Sequence, residues 1–542
     1  MIKLEDMLEY ILKKRISLTF IFIFVSGAVL RLIKACQYSE FWLNWDELTT
    51  VAWNFRYSTV TDLLSYLFRW DCHPPLFTLT ARVFVYSGIP AIISVKIMSV
   101  VISLLIIPVV YFFMRSMGAE RKTALWGMAF AAFNPMLVYQ SVRVFPYPLF
   151  LLLIMISHIM YLSVIRKVTF LRMFFYTISL TLLLYSHFFA GFIIAGHVID
   201  LVRKKGIKDK RIYCFLISFL SFLPVLILSR NSPLNPDFYE VAVRQSIFWI
   251  RKTDVFSLLN ITFSWMVEKT EVAVFDWDMM PVFIIFMIIY VFLKAVSYKN
   301  RSVIFDLLYL PFLMLVLTGL FYSMIFDQGL IEKTHLIFLL LPMILAFSLS
   351  VRGLRYAFLL FCIITVLVNI RVSERSDFQL IFEDLIKEHN DRIYVYPEYY
   401  EMEVNHHVKE NAARVIALKD LRTLEDIPED SDLYLFITDI GDDTAIGREF
   451  DEKLRYLEKL FRGRIRTKYI ISEKSVLYRI ERTASENGFS NITMDRLQSP
   501  DDILAGIFNI ARTLSVSAAC FFLIIEITGM ILKVRTFSTE NH

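Results

Sequence analysis

An acidic pair, Asp46-Glu47, sits inside the aromatic stretch Phe41-Trp42-Leu43-Asn44-Trp45-Asp46-Glu47-Leu48, directly after a long apolar run. Charges at a bilayer edge cost free energy unless they have a partner or a use. Two readings are open. Carboxylates favour the positive end of a following helix, and a partly desolvated carboxylate gains the basicity needed to take a proton from a hydroxyl. Further on, His73-Pro74-Pro75-Leu76 opens another apolar stretch, with prolines that stiffen the chain and hold the histidine in place. Lys96, Arg143, His187 and Lys333 fall near the ends of apolar runs, where snorkelling to water is the ordinary explanation for lysine and arginine. Jointly, a carboxylate pair beside such cations is what departure of a lipid-linked phosphate requires.

These residues need a membrane framework to bring them together, and the composition supplies one. The chain has 542 residues, of which 56% are hydrophobic and 15% aromatic, and its mean hydropathy is +0.55. That is too apolar for a soluble protein. Apolar runs long enough to cross roughly 30 Å of hydrocarbon recur along the sequence, and about twelve spans fit. They are expected near 16–35, 94–114, 123–140, 147–165, 172–186, 187–202, 212–229, 281–297, 303–326, 335–351, 356–370 and 505–532. The net charge of +5 comes from short basic loops between the runs, so it reports orientation and not a nucleic-acid partner.

Seven basic clusters give that orientation: Lys13-Lys14-Arg15, Arg115 to Lys122, Arg166 to Arg172, Arg203 to Arg211, Lys294 to Arg301, Arg352 to Arg355 and Lys533 to Arg535. Each is reached after an even number of crossings. The positive-inside rule therefore puts all seven in the cytoplasm with both termini, and puts the acidic pair, His73, Arg143 and His187 on the outer face of a multi-pass plasma-membrane protein. The first outer loop, 36–93, is long; residues 47–90 are read as helices along the outer interface, because counting Leu76 to Tyr86 as a span would reverse the orientation of Arg115 to Lys122.

Three regions follow: a membrane region over 1–370, a polar region over 371–503, and a terminal span with a cytoplasmic tail over 504–542. The polar region alternates amphipathic stretches, Phe378 to Lys387 and Glu449 to Phe461, with short apolar strands at Ile393 to Tyr396, Arg414 to Leu418 and Leu433 to Ile437. It reads as a small extracytoplasmic α/β domain, without the glycine pattern of a phosphate loop. The five cysteines are scattered, and the neighbouring His406 and His407 point in different directions on any regular element, so no metal site is expected.

Taken together, the membrane-region motifs resemble the GT-C glycosyltransferases, in particular prokaryotic relatives of the protein O-mannosyltransferases and of the lipid A aminoarabinose transferase. The resemblance runs from about residue 10 to 370 and is strongest over the first 190. It rests on Arg31 in the first span followed by Asp46-Glu47, on His73 to Leu76, on Lys96 opening the second span, on Asn134-Pro135 through Tyr139 and Arg143, and on Tyr185-Ser186-His187-Phe188. Two positions depart from the family pattern: Val142 stands where many relatives carry a carboxylate, and Lys333-Thr334-His335 stands where Arg-Tyr is frequent.

What the resemblance implies is sugar transfer from a polyprenyl-phosphate donor to a hydroxyl of a protein, lipid or glycan acceptor, with inversion, at the outer face. Asp46 would be the base and Glu47 would orient the acceptor or tune that base. Arg143, Lys96, His73 and Lys333 would hold the donor phosphate, and His187 and Tyr139 would position substrate. Some relatives use a divalent cation, which nothing in this sequence requires. A polytopic lipid or sugar transporter is the alternative, although such proteins often carry internal repeats and no repeat is evident here.

Overall fold

The computed structural model describes residues 18–37, 45–70, 73–229, 305–326, 337 and 340–371, and between 392 and 493 six strands and part of a helix. The membrane region is helical: α1 Leu18–Gln37, α2 Trp45–Arg56, α3 Val60–Trp70, α4 Leu76–Val85, α5 Ala91–Ser116, α6 Arg121–Phe133, α7 Pro135–Gln140, α8 Tyr147–Arg166, α9 Phe170–Ser186, α10 Ala190–Lys205 and α11 Ile212–Leu228. A π-helical turn, Phe305–Tyr309, leads into α12 Leu310–Phe326, followed by α13 Leu340–Ser348 and α14 Arg352–Arg371. The expected spans at 281–297 and 505–532 lie outside the described residues, as do Lys333 and the acidic-pair neighbours Phe41 to Asn44.

Among the described residues, three helices are long and apolar enough to cross a membrane: Leu18–Cys36, Ala91–Ser116 and Tyr147–Arg166. Shorter apolar helices include Phe170–Ser186, Ile212–Leu228 and Asp306–Phe321. Large apolar side chains stand exposed along α1, α9 and α11, among them Phe22, Phe175 and Leu220. A soluble protein does not leave whole helix faces of this kind to water, so these faces meet hydrocarbon. The described part of the expected interfacial stretch 47–90 holds three short helices, α2 to α4.

One expected span is not continuous. The run 123–140 is split into α6 and α7 at Asn134, whose backbone is extended (φ −65°, ψ 124°). Proline at 135 disfavours helix at the residue before it, and the Asn134 side chain accepts a hydrogen bond from Leu137 N at 3.0 Å, capping the new helix. The break leaves carbonyls at the end of α6 without helical partners in a place where water cannot serve them.

Arg31 of α1 serves them instead. Its guanidinium is fully buried and donates to Ala132 O at 2.9 Å and Ala131 O at 3.1 Å, to Gly27 O at 3.0 Å and to Ser103 Oγ at 2.7 Å. Ser103 in turn donates to Leu137 O of α7 at 3.3 Å. A cation beside the negative end of a helix is also favoured electrostatically. The approach depends on Gly27, where a Cβ would come 2.9 Å from both the Ala132 Cβ and the Ile107 Cδ1.

The same use of arginine recurs. Arg82 donates to Tyr57 O at 2.9 Å and Ser58 O at 2.6 Å past the end of α2; Arg115 reaches Ala119 O at 2.7 Å; Arg172 reaches Ser163 O in α8 at 3.0 Å; Arg355 reaches Ser350 O at 2.6 Å. Three of these arginines, Arg115, Arg172 and Arg355, belong to the basic clusters noted in the sequence, which thus also close helix ends. In the turn between α10 and α11, Asp209 accepts from Arg211 Nε at 2.7 Å, and that bond holds its carboxyl below the usual carboxylate range.

At the α10 end rich in cations, Lys204 Nζ lies 2.7 Å from Asp200 Oδ1, and Arg203 pairs with Asp306 of the π-helical turn. Tyr161 donates to Asp200 Oδ2 at 2.6 Å, and His197 stands between His158 (2.7 Å) and Tyr176 (2.8 Å). These bonds tie α8, α9, α10 and the π-helical turn before α12 together. A side chain at Gly196 would collide with the Asp306 carbonyl.

The strands form one mixed six-stranded sheet, order β2-β1-β3-β5-β4-β6, from Arg392–Tyr396 (β1), Val415–Ala417 (β2), Leu433–Thr438 (β3), Ile465–Ser472 (β4), Ser475–Ile480 (β5) and Ser490–Thr493 (β6). β1 runs parallel to β2 and β3, while β3, β5 and β4 are antiparallel. Leu454, Leu457 and Phe461 are buried, and Tyr478 Oη donates to Glu458 Oε1 at 3.0 Å. The expected helix Phe378 to Lys387 lies outside the described residues, as do His406 and His407.

Replacing Arg31 with Ala removes four buried hydrogen bonds and strands the α6 carbonyls, at a cost of about 3 kcal/mol or more. Thermal unfolding of the detergent-solubilised protein is expected to show a clear loss, and a midpoint equal to wild type would refute the role given to Arg31.

Candidate active site

The acidic pair occupies the first turn of α2, where carboxylates suit the helix dipole. Glu47 does more than this. Its side chain is fully buried, and Oε1 accepts from Val144 N at 2.7 Å, a backbone donor 97 residues away. The same oxygen lies 3.4 Å from Arg143 Nε. The carboxylate is turned inward and joins α2 to the segment 141–146.

That segment follows directly from the helix break. Once α7 ends at Gln140, two turns of non-helical chain present Arg143 and Val144, and Pro146 then starts α8. The Arg143 guanidinium carbon lies 5.5 Å from the Tyr139 ring centre and 5.0 Å from that of Phe145, between two aromatic faces. Such packing orients the plane of a guanidinium and adds cation–π attraction. Arg143 keeps 15% of its side chain exposed, which leaves it a route to the surface that Glu47 lacks.

A second cluster stands on the aromatic continuation of that chain. Phe145 lies 6.0 Å from Tyr147, Tyr147 lies 6.2 Å from His73 and 5.9 Å from His187, and the two histidine rings are 5.5 Å apart. His73 owes its position to the buried Pro74 and Pro75 that start α4. His187 was expected inside a span over 187–202, but α10 begins only at Ala190. The reason is local: His187 is extended, its Nδ1 accepts from Phe189 N at 3.1 Å, and its ring stacks on Phe150 at 4.9 Å.

The structure thus joins Glu47 to Arg143, Arg143 to Tyr139, and His73 to His187. Lys96 lies half-buried in the second turn of α5. Asp46 lies next to Glu47 at the start of α2. Val142 is buried. Among the described residues no three His, Cys, Asp or Glu side chains group as metal ligands would. Sequence reasoning missed three members. Val144 contributes only its backbone N–H, which leaves no trace in side-chain pattern, whereas Phe145 and Tyr147 flank a proline beside Arg143 and were there to be noticed.

No protein-family model matches the sequence, and no curated protein matches it. Among solved structures the chain is similar to the oligosaccharyltransferase of Archaeoglobus fulgidus in its apo form, at 10% identity and a TM-score of 0.49, covering 88% of this chain and 76% of that one. A structure of the same enzyme tethered to an acceptor peptide with an NVT sequon matches at 11% identity and a TM-score of 0.40, covering 71% of this chain and 63% of that one, so this chain spans less than two thirds of it. Overlaps this loose carry no argument about chemistry, which rests on the residues themselves.

Glu47→Ala leaves the Val144 N–H and the Arg143 charge without their carboxylate, whereas Glu47→Gln keeps an oxygen for Val144. Thermal unfolding should therefore show a larger loss for Ala than for Gln, by about 1–3 kcal/mol. Equal losses would mean that the bond to Val144 contributes nothing.

Proposed function

We propose that this protein is a membrane glycosyltransferase that moves a sugar from a polyprenyl-phosphate donor to an acceptor hydroxyl at the outer membrane face. The observation that carries this reading is the Glu47–Arg143–Val144 junction. It ties the backbone that bears Asp46 to the segment that bears a partly exposed arginine, so a base and a phosphate-binding cation belong to one small neighbourhood. The apolar surroundings of α1 and α5 suit a donor with a lipid tail.

In this reaction the Asp46 carboxylate takes the acceptor hydroxyl proton as that oxygen attacks the anomeric carbon from the side opposite the phosphate. The carbon–oxygen bond to the phosphate breaks, the phosphate leaves with the bonding pair, and the sugar inverts. Arg143, with Lys96, His73 and Lys333, neutralises the charge that grows on the leaving phosphate. His187 and Tyr139 position the sugar and acceptor. The acceptor is a protein, lipid or growing glycan, and a divalent cation is a variable for the assay. A fully buried Glu47 acts through Asp46 and Arg143 and does not touch the acceptor.

Incubating purified protein with radiolabelled polyprenyl-phosphate sugars and host membranes, then identifying the labelled product, tests the reading. Asp46→Asn should lower transfer by about 10²–10⁴-fold without loss of folding; near-normal turnover would remove Asp46 as the base. Arg143→Ala should chiefly raise the KM for the lipid donor, and an unchanged KM would remove Arg143 from phosphate binding.

A further inference from the structure

Three turns far apart in sequence meet at one end of the helix bundle. α8 is unbroken from Tyr147, beside the two histidines, to Arg166, which sets its ends about 28 Å apart. At the Arg166 end the guanidinium donates to Ser116 O and joins the α8–α9 turn to the α5–α6 turn. Arg211 Nη1 donates to Ile165 O at 3.4 Å and joins it to the α10–α11 turn. The joined turns expose Arg121, Lys122, Lys167, Lys205, Lys208 and Lys210.

Other cations at this end are occupied by the fold. Arg172 closes α8, Arg203 and Lys204 meet Asp306 and Asp200, and Arg211 meets Asp209. The six exposed cations differ, since among the described residues none of them has an ion pair or a side-chain hydrogen bond. The acidic side chains of these turns are Glu120 and Asp209, and Asp209 is taken up by Arg211, with Lys205 adding to the field around it. Nor do these cations serve their own helices. Arg121 and Lys122 lie in the first turn of α6, and Lys208 and Lys210 come just ahead of α11, where a helix dipole favours anions. A phosphate arriving there is attracted by the side chains and by the helix starts together.

The surface is not purely ionic. Phe170, 85% exposed, follows the α8–α9 turn, and Ile207, 72% exposed, stands in the α10–α11 turn. Exposed Leu171, Phe174 and Tyr213 continue along α9 and α11. A water-soluble polyanion would leave these side chains in water, whereas a lipid brings phosphate to the lysines and acyl chain to the apolar groups.

We propose that the three joined turns form a binding surface for anionic phospholipid, with headgroup phosphates among Lys167, Lys205, Lys208 and Lys210 and acyl chains against Phe170 and Ile207. One phosphate meets cations from turns that only the fold brings together, so a bound lipid also clamps the α8–α9 and α10–α11 turns to each other. The surface lies a helix length from the candidate active site, and the inference stands independently of the transferase reading.

The test uses the full chain in neutral detergent, titrated with dioctanoyl phosphatidylglycerol, and reads binding by native mass spectrometry and by thermal unfolding. Phosphatidylglycerol should bind and raise the unfolding midpoint, and dioctanoyl phosphatidylcholine and free glycerol phosphate should do neither. The combined changes Lys205→Gln, Lys208→Gln and Lys210→Gln should weaken phosphatidylglycerol binding about 10–100-fold, while the lipid-free midpoint stays at or above that of wild type. Lys167→Gln removes a charge from a different turn and should weaken the same binding, which keeps the test decisive if the triple variant folds poorly. Equal binding of phosphatidylcholine, equal binding of glycerol phosphate, or wild-type affinity in the folded lysine variants would overturn the proposal.

Discussion

A helix broken inside a membrane leaves carbonyl groups that nothing but protein can satisfy, and the rest of the candidate site depends on how this chain meets that demand. Asn134-Pro135 ends α6 before its run of apolar residues is finished. Arg31 reaches across from α1, takes two of the exposed carbonyls, and through Ser103 touches α7 as well. With the break stabilised, the chain turns through Arg143 and Val144 where a continuous helix would have carried them in another direction. Burial of a full guanidinium is tolerated because its donors are met by carbonyls with partial negative charge.

From that break the order of dependence runs outward. The buried backbone N–H of Val144 gives Glu47 its anchor, Glu47 fixes the start of α2, and the start of α2 carries Asp46. On the other side of Arg143, the aromatic sequence Phe145, Tyr147 leads to the two histidines. The opposite ends of the same helices are organised differently. There Asp200 and Asp306 pair with Lys204 and Arg203, and Tyr161, His158, His197 and Tyr176 bond to one another or to those carboxylates. One end is braced by mutually paired carboxylates, cations, tyrosines and histidines, and the other brings Arg143 to the buried Glu47 and to the faces of Tyr139 and Phe145.

Much of the helical framework was legible because apolar runs and basic clusters mark it directly. The runs at 16–35, 94–114, 147–165 and 212–229 correspond to α1, α5, α8 and α11 within a few residues. The run at 123–140 misled because hydropathy registers the apolar character of residues on both sides of Asn134-Pro135 and not the backbone consequence of the proline. His187 misled for a similar reason: a ring that accepts its own chain's N–H two residues on delays the start of α10. In the site, Arg143, His73 and His187 could be picked out by charge and by flanking proline or aromatic residues. The partner of Glu47 could not, since a main-chain donor is the same in every sequence. Arg31 was visible but its use was not, because only the fold shows that it faces a broken helix.

The most direct measurement of the central claim is a structure of the protein with a polyprenyl-phosphate sugar bound. The account predicts phosphate density within hydrogen-bonding distance of the Arg143 guanidinium, with the anomeric carbon turned towards Asp46 and Glu47 still bonded to Val144 N. Phosphate density remote from Arg143, or a sugar facing away from the start of α2, would contradict it.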